Sequence, residues 1–318
     1  MSYLFVHFRE KITSEGKHIP EGEQVYFGLS KDGFIWEEVN AGKPVISCTK
    51  GAKGVRDHTI CKGENGKYYI VSTDLSLANY TIEHGAINWV DISANGSKYL
   101  SKWESEDLVN WSPQTLFVPG GEGFGCLWAP ETTYDHKENE YILHWSSSYP
   151  EGQGEKAIFY TRTKDFHNFT KAKILYRKED SGIIDSAMYY EDGWYYLFVK
   201  SEKNPARLIM LKSENITGPF TRIEAFDQEM ERTAKEPHYE APTAYKLADG
   251  RWCLLLDYYG VPGEGQGYVP FLTEDISTGR FVRSDAMVKF PYGFKHGTVL
   301  AIGDEEYERI KNRWPNKG

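Results

Sequence analysis

Ser105-Glu106-Asp107-Leu108-Val109-Asn110-Trp111 is the phrase on which the fold turns. A hydroxyl residue is followed by an acidic or amide position, then by a step from apolar to aromatic. The same phrase stands at Ser30-Lys31-Asp32-Gly33-Phe34-Ile35-Trp36 and at Thr163-Lys164-Asp165-Phe166-His167-Asn168-Phe169. Weaker copies are Ser213-Glu214-Asn215-Ile216 and Thr273-Glu274-Asp275-Ile276. Hydroxyl and carboxylate side chains at such spacing bind nearby backbone N–H groups and set tight turns. The aromatic residue that follows is placed to pack back under the hairpin. Ahead of the full copies or the weaker ones runs an aromatic strand: Lys67-Tyr68-Tyr69-Ile70-Val71, Glu140-Tyr141-Ile142-Leu143-His144-Trp145, Trp194-Tyr195-Tyr196-Leu197-Phe198 or Trp252-Cys253-Leu254-Leu255-Leu256.

Each unit therefore reads as four strands, and four-stranded units in series of about 40–50 residues indicate a β-propeller. The units run from about Val55 to Val118, Cys126 to Tyr176, Ile183 to Phe226 and Tyr239 to Met287. One further strand, Gly297 to Ile302, lies at the C-terminal end. Three lie at the N-terminal end: Tyr3 to Arg9, Gln24 to Leu29 and Ile35 to Val39. One plus three completes a fifth unit. The expectation is an all-β, five-bladed β-propeller with four-stranded blades, closed by both termini in one blade and spanning residues 1–318 as a single catalytic domain. Helical periodicity is confined to the charged tail from Glu305 to Trp314.

The balance of charge narrows the partners. A formal net charge of -9 argues against nucleic acid and anionic membrane, both of which favour basic faces. Aromatic residues make up 15% of the chain, which suits strands and also stacking on sugar rings. Cys48, Cys61, Cys126 and Cys253 show no zinc or disulfide spacing. The start, Met1 to Glu10, has no basic segment leading into a long apolar one, and the expected location is the cytoplasm. The expected state is a monomer or weak oligomer.

Four stretches put a carboxylate at the head of a strand that begins a unit: Arg56-Asp57-His58-Thr59, Trp128-Ala129-Pro130-Glu131, Ile184-Asp185-Ser186-Ala187 and Tyr239-Glu240-Ala241-Pro242. A fifth, Lys295-His296-Gly297-Thr298, puts a histidine there. Glu131 to Asp185 spans 54 residues, Asp185 to Glu240 spans 55 and Glu240 to His296 spans 56; Asp57 to Glu131 spans 74 because of an insertion near Ala78 to Ser97. The first strand of each blade lines the central channel. Asp57, Glu131, Asp185, Glu240 and His296 are thus expected on one rim. Like charges so gathered disfavour one another, an arrangement more typical of functional sites than of structural ones.

With these motifs in this order, the chain resembles glycoside hydrolase family 43, the arabinofuranosidases, β-xylosidases and arabinanases. The resemblance implies that Asp57 is the general base, that Glu240 is the general acid, and that Asp185 orients Glu240 and keeps it protonated. It also implies one calcium ion near the propeller axis beside His296. Trp128 is a candidate wall of the sugar subsite, with Glu131, Tyr239 and His58 as further substrate-binding candidates. His58 stands where the family has proline. Inversion needs two carboxyl groups about 6.5–9.5 Å apart with a water between one of them and the sugar. The implied activity is an exo-acting, inverting α-L-arabinofuranosidase that trims arabinoxylan or other pentose-containing oligosaccharides, with β-xylosidase as the alternative. The rivals are a non-catalytic carbohydrate-binding propeller, a fructan hydrolase and a phosphorylase. The fructan hydrolase would need an N-terminal Asn-Asp-Pro-Asn motif that is absent, and a phosphorylase would need more basic residues than Arg56 and Lys295.

Overall fold

A computed structural model describes residues 1–149, 154–203, 207–233, 239–259, 267–291 and 293–316. It contains five antiparallel sheets of four strands each, arranged as a five-bladed β-propeller. The innermost strands are Val55–Lys62, Trp128–Asp135, Ile183–Glu191, Tyr239–Lys246 and Phe294–Ile302, which head blades 1 to 5 in that order. Blade 5 is closed by both termini: Ser2 pairs with Ile302, Leu4 with Leu300 and Val6 with Thr298. Gly297 allows this seam, since a Cβ there would stand 1.9 Å from the Val6 carbonyl oxygen.

The recurrent phrase is the turn it promised to be. Ser105 Oγ accepts from the Leu108 N–H at 2.9 Å, and Asp107 Oδ1 accepts from the Val109 and Asn110 N–H groups at 3.0 and 2.8 Å. Trp111 Nε1 then donates back to the Leu108 carbonyl at 3.1 Å. Ser30 with Asp32, and Thr163 with Asp165, make the same bonds in their own blades. Short side chains thus satisfy backbone donors that the sheet ladder leaves over.

Among the described residues four α-helices interrupt the sheets, where one was expected. They are α1 (Leu77–His84), α2 (Trp89–Asn95), α3 (Glu224–Thr233) and α4 (Asp304–Arg313). The tail helix α4 sets Tyr307 and Ile310 into the core beneath blades 5 and 1. Helix α3 sets Phe226 and Met230 into the core between blades 3 and 4. The insertion in blade 1 is α1 and α2. Ser76 caps the first of these by accepting from the Asn79 N–H at 3.0 Å. The Glu23 carboxylate accepts from the Leu77 and Ala78 N–H groups at 2.9 and 3.1 Å, placing negative charge at the helix N-terminus.

Candidate active site

Each innermost strand of blades 1 to 4 is bulged at the same end, with register shifts between Arg56 and His58, Trp128 and Glu131, Ile184 and Ala187, and Glu240 and Thr243. At every bulge one residue adopts a positive φ: Asp57 (51°), Ala129 (48°), Asp185 (52°) and Ala241 (52°). The left-handed conformation costs a non-glycine residue about 1–2 kcal/mol. In return a bulge re-aims side chains and frees a backbone N–H from the ladder.

Three of those freed donors, and the Gly297 N–H at the matching place in blade 5, are taken up by the preceding blade. The Ala129 N–H donates to Thr73 Oγ1 at 2.8 Å and the Asp185 N–H to Ser146 Oγ at 3.0 Å. The Ala241 N–H donates to Asp185 Oδ2 at 3.2 Å and the Gly297 N–H to the Tyr268 hydroxyl at 3.3 Å. Each acceptor sits on the preceding blade, so the belt ties neighbouring blades together at the mouth of the channel.

The bulges also correct the register expected from sequence. Ala129, Asp185, Ala241 and Gly297 follow at intervals of 56 residues and are the true equivalents. Glu240 stands one residue before its bulge and Glu131 two residues after. Asp57, Asp185, Glu240 and His296 nevertheless open onto a single cavity of about 520 Å³. Glu131 does not. It lies deeper on the axis, where Thr59 and Thr298 donate to its two oxygens at 2.6 and 2.8 Å and the Thr132 N–H adds 2.9 Å. Burial pushes its carboxyl up in pKa.

Two other expected substrate contacts lie outside the cavity, because residues adjacent in a strand point to opposite sides. His58 follows Asp57 and turns into the interior, with Nδ1 2.5 Å from Ser72 Oγ and Nε2 3.3 Å from the Gln24 carbonyl. Burial lowers its pKa to about 4. Tyr239 precedes Glu240 and packs against Tyr258 and Phe271. Trp128 does line the cavity, edge to face with Trp89 of α2 at 6.1 Å. Leu75, Leu77 and Ile87 continue this apolar wall, so the insertion forms one side of the site.

Much of the remaining lining is a lattice of charges. Asp57 Oδ2 accepts from Thr73 Oγ1 at 2.9 Å and Oδ1 faces His296 Nδ1 at 3.3 Å. Burial pulls the Asp57 pKa up, but the bond and charge of His296, together with Arg56, leave it below the ordinary value. His296 is the mirror case: burial pulls it down, and Asp57, Asp185 and Glu240 together raise it to about 9. Asp185 is raised to about 6, first by burial and then by the charge of Glu240, against the opposing charge of His296. Glu240 Oε2 accepts from Lys200 Nζ at 2.7 Å. The sequence-based expectation put no cation on Glu240; Lys200, from the second strand of blade 3, supplies one.

Asp257 and Lys295 form a further buried pair at 2.6 Å, and Arg56 is held by Glu23 at 3.0 Å. The basic groups named for a phosphorylase are thus already matched by carboxylates. Lys200, Asp257, Tyr259 and Trp89 were missed from sequence. They occupy second strands, loops or the insertion, and no blade-to-blade repeat marks them.

The donor set does not fit a calcium cage. Calcium takes six to eight oxygen ligands, whereas His296 offers nitrogen and turns Nδ1 to Asp57. The Glu131 oxygens are engaged by threonine hydroxyls, and among the described residues no cluster of three His, Cys, Asp or Glu is arranged to hold a metal.

A family model described as a probable glycosyl hydrolase domain matches residues 1–308. An α-L-arabinofuranosidase of Bifidobacterium longum subsp. longum is 28% identical over 233 residues, covering 63% of this chain. The chain spans only 21% of that relative's length. Among solved structures, an exo-1,5-α-L-arabinanase from a bovine ruminal metagenomic library superposes with a TM-score of 0.57 at 16% identity, covering 89% of this chain and 93% of the other. The xylan β-1,4-xylosidase of Bacillus halodurans C-125 superposes with a TM-score of 0.59 at 14% identity, covering 94% of this chain and 58% of the other. At those identities the likeness is one of fold.

Proposed function

Because this chain belongs to the glycosyl hydrolases of the family 43 type, we propose that it is an inverting, exo-acting α-L-arabinofuranosidase that removes arabinose from arabinoxylan or its oligosaccharides. The observation that carries the reading is the meeting of Asp57, Asp185 and Glu240 in one sugar-sized cavity, with Asp57 held in its ionised form by His296 and Arg56. The arabinofuranoside is favoured by the Bifidobacterium longum relative, through the 63% of this chain that it matches.

Asp57, as the base, takes a proton from the water that attacks the anomeric carbon. Glu240, as the acid, gives a proton to the departing oxygen, so that no alkoxide has to leave. Asp185 accepts the Ala241 N–H and so fixes the backbone beside Glu240. Burial and the charge of Glu240 let Asp185 hold a proton up to about pH 6. The aromatic wall of Trp128 and Trp89 supports a pocket closed on the side of the insertion, in keeping with action at chain ends or side branches.

Incubation with 4-nitrophenyl α-L-arabinofuranoside and 4-nitrophenyl β-D-xylopyranoside tests this. Faster nitrophenol release from the arabinofuranoside is the expected outcome. Release from the xyloside alone assigns a β-xylosidase, and release from neither removes the hydrolase reading in favour of a carbohydrate-binding propeller.

A further inference from the structure

Lys200 lies near the end of the second strand of blade 3, Trp194–Ser201, where its Cα pairs with Ile184, the neighbour of Asp185. Its side chain is 11% exposed and reaches across to blade 4. There Nζ donates to Glu240 Oε2 at 2.7 Å and to the Tyr259 hydroxyl at 2.6 Å, and it stands 4.2 Å from the centre of the Tyr259 ring. Burial pulls the pKa of this amine down, but Glu240, Asp185 and Tyr259 raise it above its ordinary value. Lys200 is a cation inside the cavity. Asp185, Asp257, Lys295 and His296 also act on Glu240 through their charges; among the described residues Lys200 is the group hydrogen-bonded to its carboxyl.

An ammonium donates and never accepts. The oxygen bonded to it must therefore present a lone pair, and since a carboxyl's carbonyl oxygen accepts better than its hydroxyl oxygen, a proton on the Glu240 carboxyl is favoured on the other oxygen. We propose that Lys200 is a positioning residue for proton delivery: by holding Oε2 it confines the transferable proton to Oε1, and its charge stabilises the carboxylate that remains when the proton leaves. This rests on the reading of Glu240 as the general acid.

In the step, the O–H bond at Oε1 breaks and the proton moves to the glycosidic oxygen. The bond from that oxygen to the anomeric carbon breaks, with its electron pair going to the oxygen. Water bonds to the anomeric carbon as Asp57 takes its proton. Lys200 keeps its charge throughout, and negative charge appears on Glu240 beside it. A fixed cation facing charge that develops only as the leaving group departs lowers the barrier selectively.

The test is a series of aryl α-L-arabinofuranosides from 2,4-dinitrophenyl, whose phenol leaves without help, to phenyl, which needs the proton. Hydrogen bonds to charged groups set the expected scale: Lys200→Met should lower kcat/KM on the phenyl glycoside about 10- to 100-fold. The loss on the dinitrophenyl glycoside should be at least about tenfold smaller. Its remaining turnover shows that the variant is folded. Lys200→Arg, which keeps a cationic donor, should recover much of the loss. An equal loss across the series, or none, overturns the proposal. Glu240→Gln separates the two levels. If it too loses activity equally on every leaving group, the assignment of the acid has failed; if its loss steepens towards phenyl while that of Lys200→Met is flat, only the role of Lys200 has failed.

Discussion

Replacing His296 by glutamine should change how the stability of the protein responds to alkali. The imidazole is raised from 6.5 to about 9 in the folded chain by Asp57, Asp185 and Glu240 acting against burial. A group whose affinity for the proton rises on folding stabilises the fold fully below its unfolded pKa. That contribution is lost as pH climbs through the folded value. A shift of this size makes the wild-type protein lose about 3 kcal/mol between pH 6.5 and 9.5 from this one group. With an unfolding entropy of about 2.1 cal/mol/K per residue, the loss amounts to about 4 °C in Tm for a chain of 318 residues. Other groups titrate over the same range, so the quantity to read is a difference of differences. Thermal unfolding of wild type and His296→Gln at both pH values supplies it. The variant should be less stable at pH 6.5 and should fall less on going to pH 9.5. Parallel declines would show that the imidazole is not charged against Asp57, and the ionised state of the proposed base would lose its support.

Asp57→Asn keeps the shape of the base and removes its charge; kcat should fall about 10²- to 10⁴-fold with KM little changed, measured on 4-nitrophenyl α-L-arabinofuranoside. Trp89→Ala removes half of the aromatic wall, and steady-state kinetics on arabinoxylan oligosaccharides should show KM rising about tenfold with kcat held within about threefold. A larger change in kcat than in KM would place Trp89 nearer the reacting atoms. Dialysis against EDTA should leave hydrolysis within about twofold of its starting rate, given a site with no oxygen cage. A loss restored by calcium would show that an ion with a largely aqueous shell occupies the axis.

The architecture was legible because it is periodic. The turn at Ser105 to Trp111 is made by its own side chains, so its residues had to recur wherever the turn recurs. The split blade followed from strands left over at both ends. Four strand heads carried a carboxylate, and the resemblance to family 43 singled out Asp57, Asp185 and Glu240 among them, the three that meet in the cavity. The bulge was not legible. It needs only one residue in the left-handed region, and Ala129 and Ala241 look ordinary in sequence. Without it, the places of Glu131, His58 and Tyr239 could not be told from those of the cavity residues. Helices α1 and α2 escaped notice because they are short, and α1 is anchored by Glu23, which precedes Leu77 by 54 residues. Helix α3 had a usable signal in Phe226 and Met230, four residues apart and followed by no strand alternation. Lys200 had none, since its meaning lies in a contact between two blades.

The most direct trial of the whole account is the anomeric configuration of the first sugar released, followed by proton NMR during hydrolysis of an arabinofuranosylated xylo-oligosaccharide. Attack by a water that Asp57 deprotonates, while Glu240 protonates the departing oxygen, should yield β-L-arabinofuranose first, with the α-anomer growing in only by mutarotation. The signal should vanish in Asp57→Ala and Glu240→Ala. Initial release of the α-anomer, or undiminished release by either variant, would contradict the assignment of these carboxylates.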